Sequence, residues 1–264
     1  MIVYTLGPAG TFSHEATLAI FPDADTRFAP NFDRLFDMLS TDKKVLGVVP
    51  IENSLHGSID EILDLLRESD IKIWRMQDVR IRHAFGCQDP KTVAKVASHP
   101  QALRQSRLWL KKQYPEAIHL STASTAAAVD LAKTDASVGA IASAKLILSS
   151  GLRLISEDVE GTNNTTRFGI VSRTDPFPDS KRSQMSIALH PIPKEDKPGL
   201  LHLLLTPFKT YDVNLTRIEN RPTGKRIGDY NFFIDFVGSP DEARTQKVLG
   251  ELSRLADIRV LGEW

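Results

Sequence analysis

Val45-Leu46-Gly47-Val48-Val49-Pro50-Ile51 is an apolar run, and Ser58-Ile59-Asp60-Glu61 follows it after a polar turn. The first reads as a buried strand. The second is a capping box, with serine and glutamate three apart, and Ile59, Ile62, Leu63 and Leu66 continue at helical spacing. The same strand-then-helix unit recurs outward in both directions. Ile2-Val3-Tyr4 opens the chain as a strand. Val93 to Ala97 is another, running into Ser98-His99-Pro100-Gln101, where Ser98 can cap a helix and Pro100 can take its first turn. Ser121 to Thr125 opens an alanine-rich helix through Leu131. Val138 to Ile141 is a strand, and the helix from Ser143 stops at Gly151. This alternation predicts an α/β architecture with parallel strands.

The pattern changes at Ser172-Arg173-Thr174-Asp175-Pro176-Phe177-Pro178-Asp179-Ser180-Lys181, whose prolines and small polar residues mark a linker. Beyond it, Met185 to Leu189 reads as a strand and Gly199 to Tyr211 as a helix. Leu215 to Arg221 and Tyr230 to Val237 are strands around Pro222-Thr223-Gly224. Ser239-Pro240-Asp241 starts a helix through Leu255, and Ile258 to Leu261 is a closing strand. The order is βαββαβ, the split-βαβ pattern of a small regulatory or interaction domain.

The 264 residues suffice for one large domain or two ordinary ones. Lysine plus arginine equals aspartate plus glutamate at 33 each, which argues against a nucleic-acid-binding surface. The single cysteine, Cys87, rules out an internal disulfide and reads as a small core residue in a reducing compartment. No basic leader precedes the first strand and no apolar run could span a bilayer, so the expectation is a soluble cytoplasmic protein without a membrane partner.

Four polar clusters follow short apolar strands, the place where open α/β sheets bind ligands. They are Gly7-Pro8-Ala9-Gly10-Thr11-Phe12-Ser13, Pro50-Ile51-Glu52-Asn53-Ser54, Ser98 to Gln105, and Gly161-Thr162-Asn163-Asn164-Thr165-Thr166-Arg167-Phe168. A helix N-terminus after the first would offer N–H groups to an anion. Gln101 and Gln105 share one helical face below Ser98, and His99 reads as a structural histidine. In the fourth, Arg167 is the one ionisable group. That suits holding an anionic substrate better than nucleophilic attack; the alternative is an Asn/Thr turn with a solvated arginine. No His/Cys/carboxylate set has metal-ligand spacing, and no Gly-x-Ser-x-Gly elbow is present.

Taken together and in this order, the clusters resemble those of the prephenate dehydratase family. The matching pieces are Leu6 to Ser13, Pro50 to Ser54 with Gly57, Ser98 to Leu103 with Gln105, Ser124-Thr125-Ala126-Ala127, Ala140 to Ser143, and Asn164 to Phe168. The C-terminal part is similar to an ACT domain, through Lys197-Pro198-Gly199-Leu200-Leu201 and Glu219-Asn220-Arg221-Pro222. The dehydratase motifs begin at Leu6, so no chorismate mutase helices are expected before them.

The resemblance implies a two-lobed, periplasmic-binding-protein-like catalytic region over residues 1–176, with lobe one about 1–76 plus 163–176 and lobe two about 77–162. A linker over 177–183 and a ferredoxin-like ACT domain over 184–264 would follow. It implies loss of carbon dioxide and water from prephenate to give phenylpyruvate. Aromatisation drives that reaction, so no cofactor and no metal are needed. Thr166 would donate to the leaving oxygen, and Asn53, Ser98 and Gln105 would bind and orient the substrate. Arg167 would either neutralise a carboxylate or order the loop. Thr11, Ser13, Ser54, Gln101, Ser124 and Thr125 would complete the substrate site. Glu52 reads as a structural carboxylate or a proton donor, and Asn163 and Asn164 as shapers of the turn. Phenylalanine would bind Gly199, Leu200, Leu201, Glu219, Asn220, Arg221 and Pro222 at the interface of a homodimer or dimer of dimers. Asn220 and Leu200 depart from the family's usual serine and alanine there. Arogenate dehydration and a non-catalytic ligand sensor are the competing readings.

Overall fold

A computed structural model describes residues 1–161, 163–192, 198–224 and 226–264; Thr162 and Lys197, both within the stretches quoted above, fall outside the described residues. The elements run β1 (Ile2–Leu6), α1 (Phe12–Ile20), β2 (Asp25–Ala29), α2 (Phe32–Thr41), β3 (Leu46–Asn53), β4 (Gly57–Ser58), α3 (Asp60–Glu68), β5 (Lys72–Arg80), β6 (Ala84–Cys87) and β7 (Lys95–Ser98). They continue as α4 (Pro100–Gln105), α5 (Arg107–Gln113), β8 (Ile118–Ser121), α6 (Thr125–Thr134), β9 (Val138–Ala142), α7 (Ala144–Ser149), β10 (Arg153–Ser156) and β11 (Thr165–Ser172). The last are β12 (Gln184–Pro191), α8 (Leu200–Thr210), β13 (Leu215–Pro222), β14 (Tyr230–Val237), α9 (Ala243–Leu252) and β15 (Ala256–Glu263). The fold is mixed α/β with two sheets. Among the described residues no helix is long and apolar enough to cross a membrane.

The chain divides into two compact units. The first holds Met1–Leu35, Glu52–Gly57 and Asp78–Phe168, and the second Phe36–Ile51, Ser58–Gln77 and Gly169–Trp264. In the first, β1 runs parallel to β2, and a five-stranded sheet has the order β10-β6-β9-β7-β8. β9 is buried at every position, as an all-apolar central strand must be. On one face Val138 and Ala140 meet Ala128, Val129 and Ala132 of α6. On the other Ile141 packs with Phe85, Cys87, Leu103 and Leu110. Gly139 lies on that second face, where a Cβ would come within 2.3 Å of the Phe85 ring. The parallel prediction holds for β7 with β8 and β9, but β6 runs antiparallel to both β9 and β10. β9 and β10, joined by the crossover helix α7, therefore run parallel to each other, and β6 lies between them in the opposite direction.

In the second unit the strand order is β13-β14-β12-β15-β5-β11-β3. The β12-α8-β13-β14-α9-β15 succession matches the βαββαβ order read from the sequence. Met185, Ile187, Leu189, Ile234 and Phe236 face Leu204 and Phe208 of α8 and Val248 and Leu252 of α9, forming that half's core. α9 starts later than Ser239 because Ser239 N donates to Glu242 Oε1 at 3.2 Å, closing a turn ahead of the helix. β15 outruns its apolar stretch because its ladder with β12 extends to Glu263 opposite Met185. Gly262 of β15 pairs with Ile73 of β5, and a Cβ there would meet the Ile73 carbonyl oxygen at 2.4 Å. That close parallel approach requires glycine.

The capping box does not form. Ile59 is the N-cap of α3 and gives it no side-chain bond. Ser58 Oγ instead accepts from Arg217 Nη1 at 3.0 Å and donates to Glu219 Oε2 at 3.3 Å. A charge-assisted partner far along the chain outcompetes the local one.

Candidate functional site

In the first unit, the ends of β3 and β11 are stitched together: Ser54 N donates to Thr165 O at 2.8 Å and Thr165 N donates to Ser54 Oγ at 3.0 Å. That pairing sets Asn53 beside Thr166. Asn53 Nδ2 donates to Thr166 Oγ1 at 2.9 Å and to Asn164 Oδ1 at 2.8 Å. Asn53 Oδ1 accepts from Leu55 N at 3.0 Å, which fixes which way its amide points. Asn164 Nδ2 donates to Gln105 Oε1 at 3.3 Å, and His83 Nε2 lies 2.7 Å from the same oxygen. Gln105 Nε2 faces His56 Nε2 at 3.4 Å. Asn53, Asn164, Thr166 and His83 are all buried. Three residues predicted as site members, Thr166, Asn53 and Gln105, thus share one hydrogen-bonded chain.

Two members of that chain were not foreseen. Asn164 was read as a turn former, yet it is 1 % exposed and bridges Asn53 to Gln105. His83 carried no sequence signal. Its backbone N–H donates to Glu160 Oε2 at 2.9 Å, and its ring meets Phe12 edge-on at 5.0 Å. Burial lowers the His83 pKa, against a smaller upward push from Gln105, so the ring is neutral at pH 7. Burial likewise raises the Glu160 carboxyl.

Arg167 turns its fork to Asp78, with Nε–Oδ1 at 2.7 Å and Nη2–Oδ2 at 3.0 Å. Its Nη1 lies 3.8 Å from Glu52 Oε2. The bond from Arg167 holds the Asp78 carboxyl below the usual range. Ser98 is wholly buried at the end of β7, and its hydroxyl donates to Ile141 O at 2.6 Å. The cap of α4 is therefore His99, not Ser98: the His99 ring accepts from Gln101 N at 3.3 Å. Ser124 caps α6 by accepting from Ala127 N at 3.1 Å, and Thr125 is the buried first residue of that helix. Thr11 caps α1, accepting from His14 N at 3.4 Å, with Ser13 in the first turn. Ser143 Oγ donates to Glu15, whose carboxyl is raised by burial.

In the second unit, a cavity of about 540 Å³ is lined by Gly199, Leu200, Leu201, Asn220, Tyr230 and Phe232 among others. Glu219 and Arg221 turn the other way. Glu219 accepts from Ser58, and Arg221 binds Asp64 with Nη2–Oδ2 at 2.7 Å and also binds Asp60. Strand alternation explains the split, because neighbouring β13 side chains point to opposite faces. Pro222 ends β13 opposite Tyr230. The aromatic lining from β14 was missed because its residues read as core strand.

Comparison with known proteins gives this geometry a context. The family model described as prephenate dehydratase matches residues 3–176. A prephenate dehydratase of Methanocaldococcus jannaschii is 35 % identical over 269 residues, spanning 100 % of this chain and 97 % of that protein. A bifunctional chorismate mutase/prephenate dehydratase of Aquifex aeolicus is 34 % identical, spanning 98 % of this chain and 72 % of that one. A crystal structure of prephenate dehydratase in complex with L-Phe from Arthrobacter aurescens superposes with a TM-score of 0.88 at 30 % identity, covering 100 % of this chain and 89 % of that one.

Proposed function

The chain belongs to the prephenate dehydratase family, and on that premise we propose that it expels carbon dioxide and water from prephenate to give phenylpyruvate. The observation that carries the site assignment is the Asn53-to-Thr166 bond at 2.9 Å. Thr166 Oγ1 accepts from Asn53, so its own proton is left to donate to the leaving oxygen. A threonine hydroxyl is too weak an acid to transfer that proton fully before the bond breaks. Its contribution is a placed donor where charge develops, in a buried site where such a bond is strong. Asn53 and Gln105 orient, and Ser98 shapes the wall beside β9. The engaged fork of Arg167 supports the loop-ordering role over direct carboxylate binding. The substrate carboxylates would then meet the first turn of α1 at Thr11 and Ser13, where helix N–H groups favour an anion.

We carry forward a two-lobed, periplasmic-binding-protein-like catalytic region over residues 1–176, a linker over 177–183 and an ACT domain over 184–264. The support for the last is the βαββαβ order with strands arranged β13-β14-β12-β15. Its cavity beside Gly199 and Asn220 is the proposed phenylalanine site, shared with a second copy of this cytoplasmic chain.

The test is turnover of prephenate and arogenate side by side by the full chain and by Thr166→Val. The parent should form phenylpyruvate, and Thr166→Val should be slower by about 10²–10³ in kcat with an unchanged melting curve. An unaltered rate would remove Thr166 from the mechanism, and turnover of arogenate alone would reassign the substrate. Titration calorimetry with phenylalanine should show heat together with a fall in rate; neither appearing would sink the regulatory claim.

A further inference from the structure

The buried chain from His83 to Thr166 has a direction, and direction matters because amides and imidazoles are donors at one end and acceptors at the other. Gln105 Oε1 receives Asn164 Nδ2 at 3.3 Å and stands 2.7 Å from His83 Nε2. An amide oxygen only accepts, so the His83 nitrogen facing it must carry the proton. The opposite nitrogen, Nδ1, is buried without a hydrogen-bond partner. A proton there would be a buried N–H with nothing to receive it, which costs more than a lone pair left unpaired in the same place. Both facts select one neutral form of the ring, Nε2–H.

The consequence propagates. With Gln105 held oxygen-inward, its Nε2 faces His56 and its oxygen demands a donor from Asn164. Asn164 must then present Oδ1 to Asn53, and Asn53 answers with Nδ2 at 2.8 Å. Leu55 N binds the Asn53 oxygen at 3.0 Å and enforces the same orientation from the far side. The Asn53 amide therefore presents N–H, not oxygen, to Thr166. If the Gln105 amide turned over, its N–H₂ would oppose the Asn164 N–H₂ and the middle of the chain would have to reorganise.

We infer that His83 is a positioning residue whose Nε2–H tautomer closes the Gln105–Asn164–Asn53 chain in the polarity that Leu55 N fixes at the Asn53 end, and so holds the Thr166 hydroxyl turned to donate to substrate. The inference rests on the prephenate dehydratase reading for its kinetic consequence, while the tautomer itself is a property of the free protein. His83 touches no reacting atom. It acts through Gln105.

Two measurements test it. The first is a long-range ¹H–¹⁵N correlation spectrum of the ¹⁵N-histidine-labelled full chain, with the His83 ring assigned by comparison with His83→Gln. The expected pattern is a neutral ring protonated on Nε2 at pH 7. A ring protonated on Nδ1, or doubly protonated, would overturn the proposal whatever the enzyme turns over. The second is steady-state kinetics on prephenate with two variants. His83→Leu removes the donor, and kcat should fall by about 10–100-fold, the range found when partners that orient a working side chain are lost. KM should stay within about threefold, because the loss falls on the transition state. His83→Gln keeps an N–H near the Nε2 position and should restore kcat to within about fivefold of the parent. Equal losses in both variants, or none in either, would reduce His83 to packing. Should His83→Leu fail to fold, His83→Gln and the spectrum still decide the matter. A parent that turned over no prephenate would instead defeat the functional reading, a separate result from a wrong tautomer.

Discussion

Two polar regions of this molecule solve the same problem with different chemistry. Around Thr166 the buried groups are amides, a hydroxyl and a neutral imidazole, joined end to end from Asn53 to His83. Around β13 they are charges. Arg217 binds Asp235 with Nε–Oδ2 at 2.7 Å, both side chains under a tenth exposed, and Ser186 donates to the same carboxylate. Nearer the surface, Arg221 binds Asp60 and Asp64 on α3. A neutral chain stores directional information, since each amide has a right and a wrong way round. An ionic cluster stores strength, since a charge is satisfied by any well-placed opposite charge but pays heavily when left alone.

The sharpest way to break this contrast is Asp235→Ala. It strands the Arg217 guanidinium in the interior, and unfolding in urea should show a loss of about 3–5 kcal/mol. A loss under about 1 kcal/mol would mean that the pair is no stronger than a surface one. Next is Gly262→Ala, which forces a methyl against the backbone of Ile73. Overpacking of this kind costs about 1–3 kcal/mol, read as a lower Tm. A neutral result would show that β15 can slide off β5 without penalty.

The smallest effect concerns pH. Burial depresses the His83 pKa below its ordinary 6.5, so the folded state holds fewer protons than the unfolded one between those two values. The stability from neutral His83 is complete above pH 6.5 and is lost as pH falls through the folded value. His14 and His99 are shifted the same way, while Glu15 and Glu160 are raised and act in the opposite sense. The comparison of interest is therefore the parent against His83→Gln. The variant should show a shallower fall in denaturation midpoint between pH 7 and pH 5. Parallel curves would show that His83 does not hold its neutral form against the unfolded chain.

Much of the site was legible because Asn53 and Thr166 sit in polar clusters at strand ends and Gln105 on the helix that follows another, and the family resemblance supplied their roles. Asn164 was legible only as a turn residue, because Asn before a strand fits a turn as readily as a site. His83, between Arg82 and Ala84, has neither periodicity nor motif to distinguish it. Its importance arises from Gln105, more than twenty residues on, and that proximity exists only after β6 enters its sheet. Ser58 shows the reverse error. The local rule for a capping box was satisfied, but Arg217 and Glu219 claimed the hydroxyl from across the sequence. Local pattern located the elements that carry strong apolar runs or caps, but β2, α2, β5, β6, α5, β8 and β10 went unread. It failed where a side chain's partner lies far along the chain.

Cys87 illustrates a last consequence. It is wholly enclosed by the Phe85, Val96 and Ile141 core, and burial pushes its thiol pKa up. Thiol-directed reagents need an accessible thiolate, which this side chain does not offer. It is also the chain's sole cysteine. A cysteine introduced at an exposed helical position such as Lys111 would therefore be the one reactive handle in an otherwise unaltered background. Fluorophores or spin labels can be attached there without first removing the native residue, so distance measurements during turnover can be made on a core left as it is.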